Sequence, residues 1–176
     1  MKIHISRRSK KLGAPPGTLI HIGKERTADV VITRCCYDEN TYNEQKKIPL
    51  DTLFTTEPRL AVQWVNFDGI HNVEIIEKIG SYYGIDTLVL EDIVNTSQRA
   101  KIEDYGDYIY IVLKLLTCNI KNCEIESEQV SIIFNSRMVL TFQEKQGDDF
   151  EHLRDRIRKK GKIRRMGSDY LAYSII

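Results

Sequence analysis

From Asn72 onward the apolar positions change period. Ile75, Ile76, Ile79, Tyr82 and Tyr83 recur at i, i+1, i+4, i+7 and i+8, the signature of one buried helix face, and Gly84 supplies its stop. The residues before it read differently. "TLIHIG" (18–23) and "ADVVITRCCY" (28–37) alternate or run with β-branched residues and predict strands, the second near an edge because polar sequence flanks it. "DENTYNEQKK" (38–47) reads as a polar connection, "LAVQWVNF" (60–67) as a buried strand, and "DGIHN" (68–72) as a turn with a helix cap. After Gly84, Asp86 is placed to cap a second, short helix containing "TLVLEDIV". "AKIEDYGDYIYIVLKLLTC" (100–118), "EIESEQVSIIFNS" (124–136) and "RMVLTFQE" (137–144) predict two long strands and a third joined by hairpins. Two helices close the chain: "DDFEHLRDRIRKK", acidic at its start and basic at its end, and "SDYLAYSII" capped by Ser168. The expected fold class is α/β, a mixed parallel and antiparallel sheet covered by helices.

Length and charge narrow the function classes. At 176 residues the chain suits one globular domain, a size at which folding buries roughly 70% of the unfolded surface. Lys+Arg number 26 against 25 Asp+Glu, so any charge-driven role must be local. The "APPG" at 14–17 breaks the chain after a basic start, and residues 1–13 are expected to form a flexible leader. No apolar segment follows that start as in a signal peptide, and the longest apolar run, "YIYIVLKLL", falls short of the ~20 residues of a membrane helix. Cys35, Cys36, Cys118 and Cys123 lack paired C-x-x-C spacing and read as buried thiols of a reducing compartment.

Glu91 and Asp92 stand side by side in the second helix. At about 100° per residue, Leu88, Val89, Leu90, Ile93 and Val94 cover most of its circumference. Glu91 shares the narrow polar window with Asn95, while Asp92 follows Leu88 at i+4 and faces a packed surface. Such a carboxylate needs a cation or donors. Asp92 can be a structural acid paired with Arg99 or Lys101. It can instead be, with Glu91, part of a hard-cation site of the kind Mg²⁺ prefers: few carboxylates, several retained waters, further charge from another element or subunit. A general acid/base pair fits poorly, because neighbours on a helix diverge. Two other classes remain open: a nucleic-acid-binding module using the basic segment 154–165, and a metal-dependent hydrolase built on Asp68, His71 and Glu91.

The strings "PPGTL" (15–19), "WVNFDGIH" (64–71), "YYGIDTLVLEDIVNTSQRAKIEDYGDYIYIVLKLL" (82–116), "ESEQVSIIF" (126–134), "VLTFQEK" (139–145) and "DYLAYSII" (169–176) occur in this order. Together they resemble the cytoplasmic N-terminal domain of the CorA family of magnesium transport proteins. The resemblance covers nearly everything from Ala14 onward, and 84–116 is its most specific part.

It implies a sheet sandwiched between helices, leading into a long helix, two membrane spans and a homopentameric pore. The family's Gly-Met-Asn pore signature and both spans are absent from this sequence. Residues 14–176 are therefore expected to be a cytoplasmic regulatory domain at the inner face of the cell membrane, ending where the long helix starts, and not an enzyme. In the family, the acids matching Glu91 and Asp92 help hold regulatory divalent cations between neighbouring subunits, with partner carboxylates on the long helix. Mg²⁺ is implied as both cargo and effector, with Co²⁺ or Ni²⁺ as further cargo. Bound ions favour the closed ring, and on their loss the facing carboxylates repel. The partners implied are copies of the same chain and metal ions, not nucleic acid, with membrane contact through the missing C-terminal part.

Overall fold

The computed structural model describes residues 13, 15–23, 29–55, 60–119, 124–145, 147 and 150–176. The leader expected at 1–13, apart from Gly13, and Cys123 lie outside them. Seven strands, β1 (Val31–Tyr37), β2 (Tyr42–Lys46), β3 (Val62–Asp68), β4 (Lys101–Asp104), β5 (Ile109–Asn119), β6 (Glu124–Phe134) and β7 (Met138–Gln143), form one sheet in the order β2-β1-β3-β7-β6-β5-β4. Every neighbouring pair is antiparallel except β3 and β7, which run parallel. The mixed sheet is as expected.

The central strands read as apolar runs because both of their faces are covered. Along each, alternate side chains go to opposite layers. Phe67, Leu140, Phe142, Tyr110 and Val112 face one core with residues of α1 (Leu50–Thr55), α2 (Val73–Tyr83) and α3 (Thr87–Val94). Trp64, Val139, Val130, Ile132 and Ile111 face the other, against α4 (Glu151–Arg158), a 3-10 turn at Lys162–Arg165 and α5 (Ser168–Ile175). The result is an α/β/α sandwich. A buried polar chain crosses the parallel seam: Trp64 Nε1 donates to Thr141 Oγ1 at 3.0 Å, Thr141 Oγ1 to Asn66 Oδ1 at 2.5 Å, and Asn66 Nδ2 to Asp68 Oδ1 at 2.7 Å.

Helices α2 and α3 follow the expectations from sequence. The Asn72 side chain accepts from the Ile75 N–H at 3.2 Å, Gly84 closes α2 at φ 66°, and Asp86 Oδ1 accepts from the Leu88 N–H at 2.7 Å. Only glycine adopts that left-handed stop without strain. The two helices touch at Gly80, where a Cβ would lie 2.2 Å from Leu90 Cδ1.

Five expectations are corrected. The polar connection at 38–47 contains β2, an edge strand whose polar sequence, YNEQK, hides its alternation. The stretch 18–23 forms a single parallel bridge, Ile22 to Asn95, rather than a strand. The strand at 100–118 is two: the "DYGD" turn separates β4 from β5, with Gly106 at φ 81° and its N–H held by Asp104 Oδ1 at 2.8 Å. Ser168 does not cap α5; Gly167 occupies that place, and the buried Ser168 hydroxyl donates to the Asn135 carbonyl instead. Cys35 and Cys36 are buried as expected, but Cys118 is exposed.

Candidate metal-responsive site

Asp92 sits in the last turn of α3, where the helix end meets β4. Leu88, one turn earlier, is 51% exposed, so the Leu88–Asp92 row runs along the margin of the layer rather than into its core. The Asp92 side chain is 21% exposed. Its two oxygens have different partners: Oδ1 accepts from Gln98 Nε2, and Oδ2 accepts from Lys101 Nζ at 2.6 Å. Lys101 is the base that pairs, not Arg99, which is exposed.

The same ammonium reaches Glu103 Oε2 at 2.7 Å and stands 5.4 Å from the centroid of the Tyr110 ring. Lys101 and Glu103 are two apart on β4 and so share a face. Burial alone would lower the Lys101 pKa, but the hydrogen bonds and charges of Asp92 and Glu103 outweigh it and leave it raised. The amine thus stays an ammonium.

Three further hydrogen bonds fix the end of α3 to the sheet. Gln129 Nε2 on β6 donates to the Asp92 backbone carbonyl at 3.0 Å, and Lys114 Nζ on β5 donates to Gln129 Oε1 at 3.0 Å and to the Thr96 carbonyl at 2.8 Å. A lysine at a helix C-terminus also complements the helix dipole. Burial holds the Lys114 pKa below its ordinary value, with the Glu144 charge working against it.

Glu91 points elsewhere. Its Oε2 accepts from the Gly17 N–H at 3.0 Å, tying the N-terminal stretch to α3. The two adjacent acids therefore serve different partners. Among the described residues no group of three or more His, Cys, Asp or Glu side chains is placed to hold a metal. Asp68, His71 and Glu91 do not converge: Asp68 is buried and accepts from Asn66, while Glu91 accepts from Gly17.

In the basic segment 154–165, three arginines make internal contacts, while Arg156, Lys159, Lys160, Lys162 and Arg165 are exposed. Arg154 is 1% exposed and lies 4.8 Å from the Trp64 ring centroid. Arg158 bonds Glu44, Glu151 and Asp155, and the buried Arg164 donates through Nε to the Asp38 carbonyl at 2.6 Å.

Comparison with known proteins decides the family. The family model described as "CorA-like Mg2+ transporter protein" matches residues 60–176. The cobalt/magnesium transport protein CorA of Thermotoga maritima is 42% identical over 171 residues, 97% of this chain and 48% of that protein. The chain belongs to the CorA family. It spans about half the length of that CorA relative. Solved CorA structures share the fold at low identity. The complete CorA magnesium transporter of Methanocaldococcus jannaschii aligns with 85% of this chain and 43% of its own at a TM-score of 0.56 and 14% identity. The soluble domain of the same organism's CorA aligns with 73% of this chain and 46% of its own, at a TM-score of 0.51 and 14% identity. Among the described residues no helix is long and apolar enough to cross a membrane.

Sequence reasoning named Glu91, Asp92 and Lys101 but missed Glu103, Gln98, Gln129 and Lys114. The spacing of Lys101 and Glu103 was a usable signal. Gln129 carried none, because it meets Asp92 across 37 residues of chain.

Proposed function

We propose that this chain is the cytoplasmic, Mg²⁺-responsive domain of a divalent-cation transporter that assembles as a homopentamer. Its cargo is Mg²⁺ or Co²⁺, with Ni²⁺ a further candidate, and Asp92 with Glu91 contributes to a regulatory cation site shared between neighbouring chains. The observation that carries the reading is the 42% identity to a cobalt/magnesium transport protein along 97% of the chain. The geometry around Asp92 supports its role. The carboxylate lies at the margin of a layer, partly exposed, on a helix end held by Gln129, so it can meet a neighbour without reordering the domain.

Mg²⁺ keeps several waters and takes few carboxylates, so one or two partly exposed acids per chain are a workable share of an interchain site. Glu91 answers for the second acid by holding Gly17 and the N-terminal stretch against the same helix. A cation that binds the closed arrangement better than the open one shifts the gate by that difference, and five equivalent interfaces add up. The reaction is transport, with the ion unchanged.

The test uses the whole membrane-embedded protein. Mg²⁺ is expected to protect the cytoplasmic ring against limited proteolysis, and Asp92→Asn together with Glu91→Gln is expected to remove most of that protection. Unchanged protection in the double variant would overturn the sensor assignment.

A further inference from the structure

Asp92, the acid assigned to the cation, already has a cation. Lys101 Nζ lies 2.6 Å from Asp92 Oδ2 and 2.7 Å from Glu103 Oε2, above the face of Tyr110. This ammonium is supplied by the chain itself, from the neighbouring strand. We propose that Lys101 is an internal competitor for the divalent cation at Asp92: metal binding displaces the lysine from Asp92, and metal release returns it. The inference deepens the reading of Asp92 as a regulatory ligand and rests on it.

Three observations give it its form. First, both carboxylate oxygens are engaged, Oδ1 by Gln98 and Oδ2 by Lys101. A metal ion that approaches either oxygen meets a present partner, and the one whose positive charge it repels is Lys101. Second, Glu103 gives the displaced ammonium somewhere to stay, so the exchange requires a small swing of one side chain and no change in β4. Third, the Asp92 and Lys101 side chains are 21% and 28% exposed, so an ion from solvent can reach the pair.

The consequence alters the expected electrostatics of the metal-free ring. Loss of the cation does not leave a bare negative charge at each interface, because Lys101 takes it up. The apparent affinity is thereby lowered by the strength of an existing ion pair, which moves the response to higher cation concentrations. Monovalent charge in one position, divalent in the other, makes the switch.

The experiment measures Mn²⁺ binding to the whole assembled transporter by the electron paramagnetic resonance signal of free Mn²⁺, the site being the share of binding that Asp92→Asn removes, in the wild type and in Lys101→Met, Lys101→Arg and Asp92→Asn, with circular dichroism to establish folding. Lys101→Met is expected to tighten binding about fivefold, the scale of one partly exposed ion pair. Lys101→Arg, which keeps the positive charge, is expected to bind as the wild type does, and Asp92→Asn to lose the site. Should Lys101→Met not fold, Lys101→Gln replaces it with the same expectation. Unchanged or weaker binding without the lysine charge, while Asp92→Asn still abolishes it, overturns the competitor role alone. Binding indifferent to Asp92→Asn, or no binding by any of these chains, overturns the Asp92 assignment and the competitor with it. A second readout is independent of affinity: in the wild type, the Lys101 side-chain ¹⁵N resonance is expected to move on addition of Mg²⁺, and a stationary resonance contradicts displacement.

Discussion

Burial pushes the Cys35 thiol from an ordinary value of 9.0 to about 11, and the nearby Arg154 offsets only part of that rise. Cys36 is pushed further, to about 12, again chiefly by burial. In the unfolded chain both ionise near 9.0, so above that pH the unfolded state releases protons that the folded state retains. Stability contributed by the two buried thiols is therefore complete below pH 9 and lost progressively toward pH 11–12. Chemical denaturation from pH 8 to 11 is expected to show this fall, reduced in Cys35→Ala/Cys36→Ala relative to that variant's own value at pH 8. A thiol reagent at pH 8 is expected to reach Cys118 in the native chain and Cys35 and Cys36 only on unfolding, since the thiolate is the reacting form. At this scale the sequence was informative about identity but not about pairing. It offered Arg99 and Lys101 as bases for Asp92, and only the turn out of α3 and the register of β4 select Lys101. The exposure of Cys118 depends on how far β5 extends beyond its neighbour β4, which pairs only as far as Val112.

Helices α2 and α3 owe their mutual approach to one missing side chain. With Leu90 Cδ1 2.2 Å from where a Cβ would sit, Gly80→Ala forces the helices apart or Leu90 from its rotamer. Despite the better helix propensity of alanine, that substitution is expected to destabilise the chain by about 1–3 kcal/mol, the usual cost of overfilling a packed core. The urea midpoint measures it, and an unchanged midpoint would contradict the packing. Because α3 carries Asp92, the same variant is a direct probe of whether the site depends on that packing. Helix periods and caps made α2 and α3 legible residue by residue, from Asn72 through Gly84 to Asp86. The edge strand β2 was not, because a strand with one free edge and the polar sequence YNEQK has no apolar pattern to display. The turn between β4 and β5 was written in Gly106, and the β-rich sequence on both sides outweighed it in a reading of apolar runs. Helix α1 is six residues long with Leu53 its one buried side chain, too little pattern for periodicity to register.

As a whole, the molecule is two cores divided by one sheet. The sheet's central strands are buried on both faces beneath the two helical layers. The candidate site lies at the rim, where α3 ends at Asp92 and the N-terminal stretch meets Glu91. The layered architecture was legible in the order of strands and helices. The parallel pairing of β3 and β7 was not, since their register joins segments some 75 residues apart through the polar chain of Trp64, Thr141 and Asn66. The proposed cation site was legible as two adjacent acids and illegible as a geometry, because their partners, Gln98 and Lys101 for Asp92 and Gly17 for Glu91, are set by the fold rather than by spacing. The most direct test of the central claim is Mg²⁺ uptake by the whole protein in cells or oriented vesicles, with Mg²⁺ on the cytoplasmic side set low or high. Wild-type uptake is expected to slow when cytoplasmic-side Mg²⁺ is raised to millimolar levels typical of weak oxygen-ligand sites, and the Glu91→Gln/Asp92→Asn double variant to keep transporting. No Mg²⁺ uptake at all, or equal slowing in both proteins, would contradict the account.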